Sequence, residues 1–249
     1  MNDLNELEID RETDASEIFI DHARFRNFFD KKYVKKVSTW LVIAWIVAII
    51  GGVLAYLVTV NRWSMGWLAV PGWLVFGAGV LLLIIFLPKV IKESELTDVF
   101  KGKSRLFKDI ISDKLEYPED MGTMSISFMG AIVDDSTRDV IRKLKSGNYV
   151  SPEMRETVIY CDTKKKGLFI AIDNYSMVED KEKFYFKEIP FSDFDSAGIV
   201  KEEIAVGAVS DRFVVKKGEI EIFSSPMANN DYYKEEFMNT IEHFRSTLG

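Results

Sequence analysis

Three consecutive lysines, Lys164, Lys165 and Lys166, lie in a turn that opens at Asp162 and closes at Gly167. Such a cluster attracts phosphate as a set of flexible point charges and reads as a lipid- or partner-binding turn. The same charges serve equally as a solvated turn that keeps a sheet edge from pairing with another chain. Other reactive groups are scattered. Asp134, Asp135 and Asp139 lack the alternating ligands and the glycine of a calcium loop, and capping of a short helix accounts for them. His22 and His243 stand far apart in no metal-ligand pattern. Cys161 is the single cysteine, so an intramolecular disulfide is excluded. It has no histidine or second cysteine close by in the sequence and reads as a small buried side chain rather than a nucleophile. No phosphate-binding glycine loop, dinucleotide fingerprint or serine-hydrolase elbow occurs. The expectation is a protein without catalysis, metal or cofactor.

The elements that position these groups are organised by two apolar runs, Val37 to Val60 and Trp67 to Leu87, joined by the short segment Asn61 to Gly66. A helix rising about 1.5 Å per residue crosses the roughly 30 Å of a bilayer's hydrocarbon in about 20 residues, and each run is long enough. Neither run contains a charged side chain. A linker this short folds the pair back as a transmembrane helical hairpin over 37–88. Ala44, Ala48 and Gly52 form a small-residue ridge at a spacing of four, which marks a helix-packing face within the hairpin or between copies. Ion or proton transport would leave ionisable side chains in the spans, and none is there.

Residues 1–16 are polar and acidic and read as a disordered leader. Residues 17–36 then form a basic amphipathic segment in which Arg24, Arg26, Lys31, Lys32, Lys35 and Lys36 crowd around Phe25, Phe29 and Tyr33. These cations either contact anionic lipid or are the positive flank that orients a first span. After Pro88, Lys89, Lys92, Lys101 and Lys103 follow, whereas the connecting segment holds only Arg62. The positive-inside rule therefore puts both termini in the cytoplasm, making the chain a multi-pass protein of the inner membrane. The formal net charge of −7 argues against a nucleic-acid partner.

Residues 89–150 read as a helical or mixed linker region. Leu96, Val99, Phe100, Phe107, Ile110 and Ile111 predict a helix over 93–115, 121–133 is ambiguous between loop and strand, and Asp135 or Ser136 starts a short helix through Lys145. From 151 to 249 the pattern changes. Seven β-rich runs are predicted at 157–161, 168–172, 184–188, 196–200, 203–209, 212–216 and 219–223, with turns at Lys166-Gly167, Ser210-Asp211 and Lys217-Gly218. A helix from about Asp231 places Tyr233, Phe237, Ile241, Phe244 and Leu248 on one stripe.

Seven antiparallel strands closed by one amphipathic helix resemble the pleckstrin-homology-like (PH-like) fold. With two preceding spans, the layout is similar to that of bacterial membrane-anchored PH-like domain proteins. The stretch Phe184 to Phe194, with Pro190, Ser192 and Asp193, resembles a strand followed by the Pro-x-Ser-Asp step of that group. The resemblance implies a membrane α+β protein whose cytoplasmic PH-like domain is a binding module, with Lys164–Lys166 as the basic first turn that such domains use for phosphorylated headgroups. The final helix lacks the tryptophan usual in eukaryotic PH domains, which weighs against phosphoinositide recognition. The expected function is docking of a protein partner or lipid at the inner membrane face. Two other readings stand beside it: a hairpin that self-associates through Ala44, Ala48 and Gly52 and scaffolds the bilayer, and an enzyme with an unrecognised site in 117–155.

Overall fold

A computed structural model of the chain describes residues 5–7, 20–60, 69–115, 124–162, 164–228 and 234–248. They divide into two compact units, one of residues 23–92 and the other of residues 1–22 with 93–249. The segment between the apolar runs, the Tyr117-Pro118 break and the predicted helix start at Asp231 lie outside the described residues.

The 23–92 unit begins in helix α1 (His22–Phe29), which buries Phe25 and Phe29. The Asp30 carboxylate then caps helix α2 (Lys31–Val60) by accepting the Lys32 and Tyr33 backbone N–H groups at 2.8 and 3.2 Å. Helix α3 (Ala69–Phe86) runs antiparallel to α2. Small residues bring the two backbones together. A Cβ on Gly79 would fall 2.4 Å from the Ala48 nitrogen, one on Gly51 2.3 Å from the Phe76 nitrogen, and one on Gly72 2.9 Å from the Ala55 nitrogen. The Trp40 ring stacks on Phe86 at 5.8 Å. Large apolar side chains, including Trp45, Ile46, Ile49, Ile50, Leu74 and Ile84, point outward and are exposed. Two helices long and apolar enough to cross a membrane are therefore present, with an apolar exterior that suits lipid.

In the other unit, helix α4 (Glu93–Leu115) precedes seven strands of eight to ten residues: β2 (Met124–Ile132), β5 (Glu153–Asp162), β6 (Gly167–Ser176), β7 (Glu182–Pro190), β8 (Ser196–Ala205), β9 (Ala208–Lys217) and β10 (Ile220–Met227). Two short strands, β3 (Arg142–Lys143) and β4 (Tyr149–Val150), form a separate hairpin between β2 and β5. A three-residue strand, β1 (Asn5–Leu7), comes from the leader. All pairing is antiparallel, in one sheet of order β1-β7-β6-β5-β2 and another of order β10-β9-β8. Helix α5 (Lys234–Leu248) ends the chain. The class is mixed α+β, with helices first and an antiparallel β region after them.

The first sheet is covered on both faces. Alternate residues of β5 and β6, among them Ile159, Cys161, Leu168, Ile170 and Ile172, meet Phe213, Val215 and Phe223 of the second sheet and Ile241 of α5. The opposite alternation, Val158, Tyr160, Phe169 and Ala171, packs under Phe107, Ile110 and Ile111 of α4. The β10 strand crosses β2 closely enough that a Cβ on Gly130 would lie 2.4 Å from the Pro226 carbonyl, and the Ala228 N–H donates to the Met129 carbonyl at 2.7 Å.

Four expectations change. Residues 5–7 of the leader are a strand, because the edge of β7 offers the backbone partners that the leader cannot supply itself. The β module starts with β2, upstream of 151, and α4 belongs to its core. No helix forms over 136–145. Asp134 instead accepts the Ser136 and Thr137 N–H and hydroxyl groups at 2.6–3.0 Å, and Gly147, at φ +91°, turns β3 into β4. Finally, the predicted runs 196–200 and 203–209 do not stand as separate strands, since Gly207, at φ +72°, places the turn between β8 and β9 rather than at Ser210-Asp211.

Candidate functional site

The lysine turn forms as expected at the β5–β6 hairpin. Asp162 accepts the Lys164 and Lys165 N–H groups at 2.9 Å each, and Lys166 takes the left-handed backbone conformation at φ 53°. Lys165 is paired with Glu188 at 3.0 Å. Lys165, Glu188, Phe169 and Pro190 border a shallow pocket of about 50 Å³. Small-molecule sites begin near 300 Å³, so this one suits a few waters rather than an enclosed headgroup.

The juxtamembrane cations separate into two groups. Arg24 donates to backbone carbonyls, to that of Pro88 at 3.0 Å and that of Val90 at 3.4 Å. Arg26 is exposed on α1, and Lys31, Lys32, Lys35 and Lys36 are exposed over the first turns of α2. Cations at a helix N-terminus oppose the helix dipole, so their presence serves something other than helix stability.

Ala44 and Ala48 are buried against α3 within the hairpin, whereas Gly52 lies beside that line, facing the Phe76 ring at 3.4 Å from its Cβ position. The closest backbone approaches to α3 fall at Ala48, Gly51 and Ala55. Asp134 is drawn down to about 2 chiefly by the Ser136 and Thr137 hydrogen bonds, as befits a capping carboxylate. Among the described residues no group of three or more acidic, histidine or cysteine side chains could hold a metal. His22 Nδ1 lies 3.3 Å from the Met177 carbonyl, and Cys161 is buried, with burial pushing its thiol up to about 12.

The feature absent from the sequence reading is a buried ionic cluster between α4 and the first sheet. Lys103 reaches from α4 to Glu182 of β7 at 2.6 Å, with its ammonium 5.5 Å from the centre of the Tyr175 ring. Asp173 and Glu156, each 1% exposed, are cross-strand partners on β6 and β5. Burial, then the Glu182 charge, holds Asp173 well above the usual carboxylate range. The neighbouring Glu182 and Glu156 carboxyls add to the rise and Lys103 opposes it, so the environment favours the protonated form of Asp173. Glu156 is raised by burial, against the pull of the Ser104 and Ser127 hydroxyls; Ser127 donates to its Oε1 at 2.9 Å. Among the described residues, Asp173 Oδ1 and Glu156 Oε2 have no hydrogen-bond partner. Burial closes this cluster to solvent, and its geometry is that of a clamp joining α4 to the sheet. The available signal was positional: Glu156 and Asp173 sit at inward-facing positions directly beside the apolar runs 157–161 and 168–172.

Both faces of the first sheet being covered, its edges and turns remain for recognition. The outer edge of β7 pairs with β1 at Asn5, Glu6 and Leu7, and β8 ends the second sheet. Comparison of the chain with family models, with characterised proteins and with solved structures finds no match.

Proposed function

We propose that the chain is a membrane-anchored, non-catalytic binding module. The α2–α3 hairpin holds a PH-like domain at the inner face of the membrane, with both termini cytoplasmic, and the domain docks a protein partner. Seven long antiparallel strands followed by a terminal helix support the PH-like reading. Exposed lysines at the start of α2 support the orientation, through the positive-inside rule.

One observation carries the binding role: the first sheet is covered by α4 on one face and by the second sheet on the other, so backbone edges rather than a cavity are what the module presents. Anchoring makes a weak edge contact effective by raising local concentration. The test is the native mass of the full chain after mild detergent extraction from its own membranes, together with vesicle co-sedimentation. A stoichiometric second polypeptide supports the reading, and binding to anionic vesicles alone shifts it to a lipid partner. A lone chain that binds neither contradicts it.

A further inference from the structure

The charges of the chain are segregated. Residues 23–92 hold nine lysines and arginines and a single acid, Asp30, whereas the whole chain counts 32 Lys and Arg against 39 Asp and Glu. Asp30 is already engaged in capping α2, where it accepts the Lys32 and Tyr33 backbone N–H groups. Among the described residues, no carboxylate pairs with the ammonium groups of Lys32, Lys36 and Lys89. These three exposed cations converge on one end of the hairpin. Lys32, Lys36 and Trp40 follow at a spacing of four and share one stripe of α2. The Trp40 ring stacks on Phe86 of α3 with the planes 3° apart, and Lys89 brings its Nζ to 4.9 Å from the centre of the same Phe86 ring. Arg24 braces this end of α3 through the Pro88 and Val90 carbonyls. Further along α2, Ala44 is buried and Ile43 is exposed, so Trp40, itself exposed, stands where the helix contact gives way to the apolar exterior.

Aromatic rings at the end of a span sit at headgroup level, and lysines there meet lipid phosphate. A neutral phospholipid carries its own ammonium beside the phosphate, so lysines that lack a carboxylate favour a lipid of net negative charge. Orienting a span needs only positive charge near it, at any position around the helix. The stripe on α2 and the contacts among Lys89, Phe86 and Trp40 go beyond that need. We infer that Lys32, Lys36 and Lys89, grouped about the Trp40–Phe86 pair, hold the headgroup phosphate of an anionic phospholipid whose acyl chain follows the side of α2 that carries Ile43. The inference rests on the reading of the α2–α3 hairpin as a bilayer-crossing pair and is separate from what the β domain docks.

The probe is an equimolar mixture of phosphatidylglycerol and phosphatidylcholine offered to the full chain in mild detergent, with retained lipids counted by native mass spectrometry. The unaltered chain should retain phosphatidylglycerol over phosphatidylcholine by at least about tenfold, since each lysine near an anionic lipid is worth about fivefold. Lys32→Gln with Lys36→Gln and Lys89→Gln should bring the ratio near one. Lys164→Gln with Lys165→Gln and Lys166→Gln, in the β5–β6 turn, should leave it unchanged. No preference in the unaltered chain, the same preference in the hairpin variant, or loss of it in the turn variant overturns the proposal. A second measurement leaves the lysines in place: phosphatidylglycerol brominated in its upper acyl chain should quench tryptophan fluorescence more than phosphatidylcholine brominated alike, and Trp40→Phe should abolish the excess. Equal quenching by the two lipids, or an excess that survives Trp40→Phe, also overturns it. Release of the chain from its membranes by alkaline carbonate would sink the bilayer-crossing reading itself, whereas a chain that resists extraction and shows no lipid preference loses this site alone.

Discussion

Lys103 Nζ sits 2.6 Å from Glu182 Oε1, the two side chains 8% and 14% exposed, so a buried ion pair joins the helix that follows the hairpin to strand β7, beside the Phe107–Phe184 ring contact. The Asp173 and Glu156 carboxyls lie in the field of this lysine, and Glu156 also in that of Lys108. Removing Lys103 would leave buried Glu182 without its ion-pair partner. Lys103→Met should destabilise the β unit by about 3–5 kcal/mol. The triple change Lys103→Met, Asp173→Asn and Glu182→Gln should recover most of that loss. Denaturant unfolding of the full chain in detergent measures both, and equal stability of the Lys103→Met chain and the unaltered one would refute the clamp.

The same cluster sets an unusual pH dependence. Asp173 and Glu156 are raised in the folded state. Between the ordinary carboxylate value of about 4 and the raised folded value, the native state keeps protons that the unfolded chain has released. Their contribution to stability is therefore largest at low pH and is lost as pH rises through the folded value. Asp173→Asn, which keeps a donor without the titration, should be more stable than the unaltered chain at about pH 8 by about 1 kcal/mol, roughly 2–4 °C in Tm. It should also show a shallower fall in Tm from about pH 5 to about pH 8. Parallel Tm curves for the two chains would count against a proton in this cluster.

In the hairpin, Gly51 and Gly79 face backbone at 2.3 and 2.4 Å from their Cβ positions, while Gly77 has none of the described residues within 4 Å of its own. Gly51→Ala and Gly79→Ala should each cost about 1–3 kcal/mol through forced separation of α2 and α3. Gly77→Ala should be neutral or slightly stabilising. Thermal unfolding in detergent ranks the three, and equal effects would place the helix contact elsewhere.

At the lysine turn, Lys166 holds φ 53°, a region costly for a residue with a Cβ. Lys166→Gly should stabilise by about 0.5–1 kcal/mol, the relief of strain outweighing glycine's added chain entropy. Lys165→Ser removes an exposed pair with Glu188 and should change stability by less than about 1 kcal/mol. A larger loss at Lys165 would mean the pair is structural.

The apolar spans and most strands were legible because both are written as local periodicity. Val37 to Val60 needs only length, and Leu168 to Ile172 only a run of β-formers between turn residues. What escaped depends on distant partners. Asn5–Leu7 is a strand only because β7 lies beside it. The segment after Asp135 has helical spacing, but the Lys145 and Ser146 N–H groups go to Glu93, at 3.3 and 3.1 Å, and hold a hairpin instead. Glu156 and Asp173 look like surface charges until α4 closes over them. The basic turn was found in place, yet its lysines form a solvated rim rather than an enclosed site.

The central claim, a β module held at the cytoplasmic face by a two-span hairpin, is tested most directly by cysteine accessibility in intact cells. Cys161 is buried and serves as a silent background. With a membrane-impermeant maleimide, Ser64→Cys, between the two spans, should label from outside, and Lys164→Cys, in the β5–β6 turn, should label only after permeabilisation. Labelling of Lys164→Cys in sealed cells, or release of the whole chain by alkaline carbonate, would contradict the account.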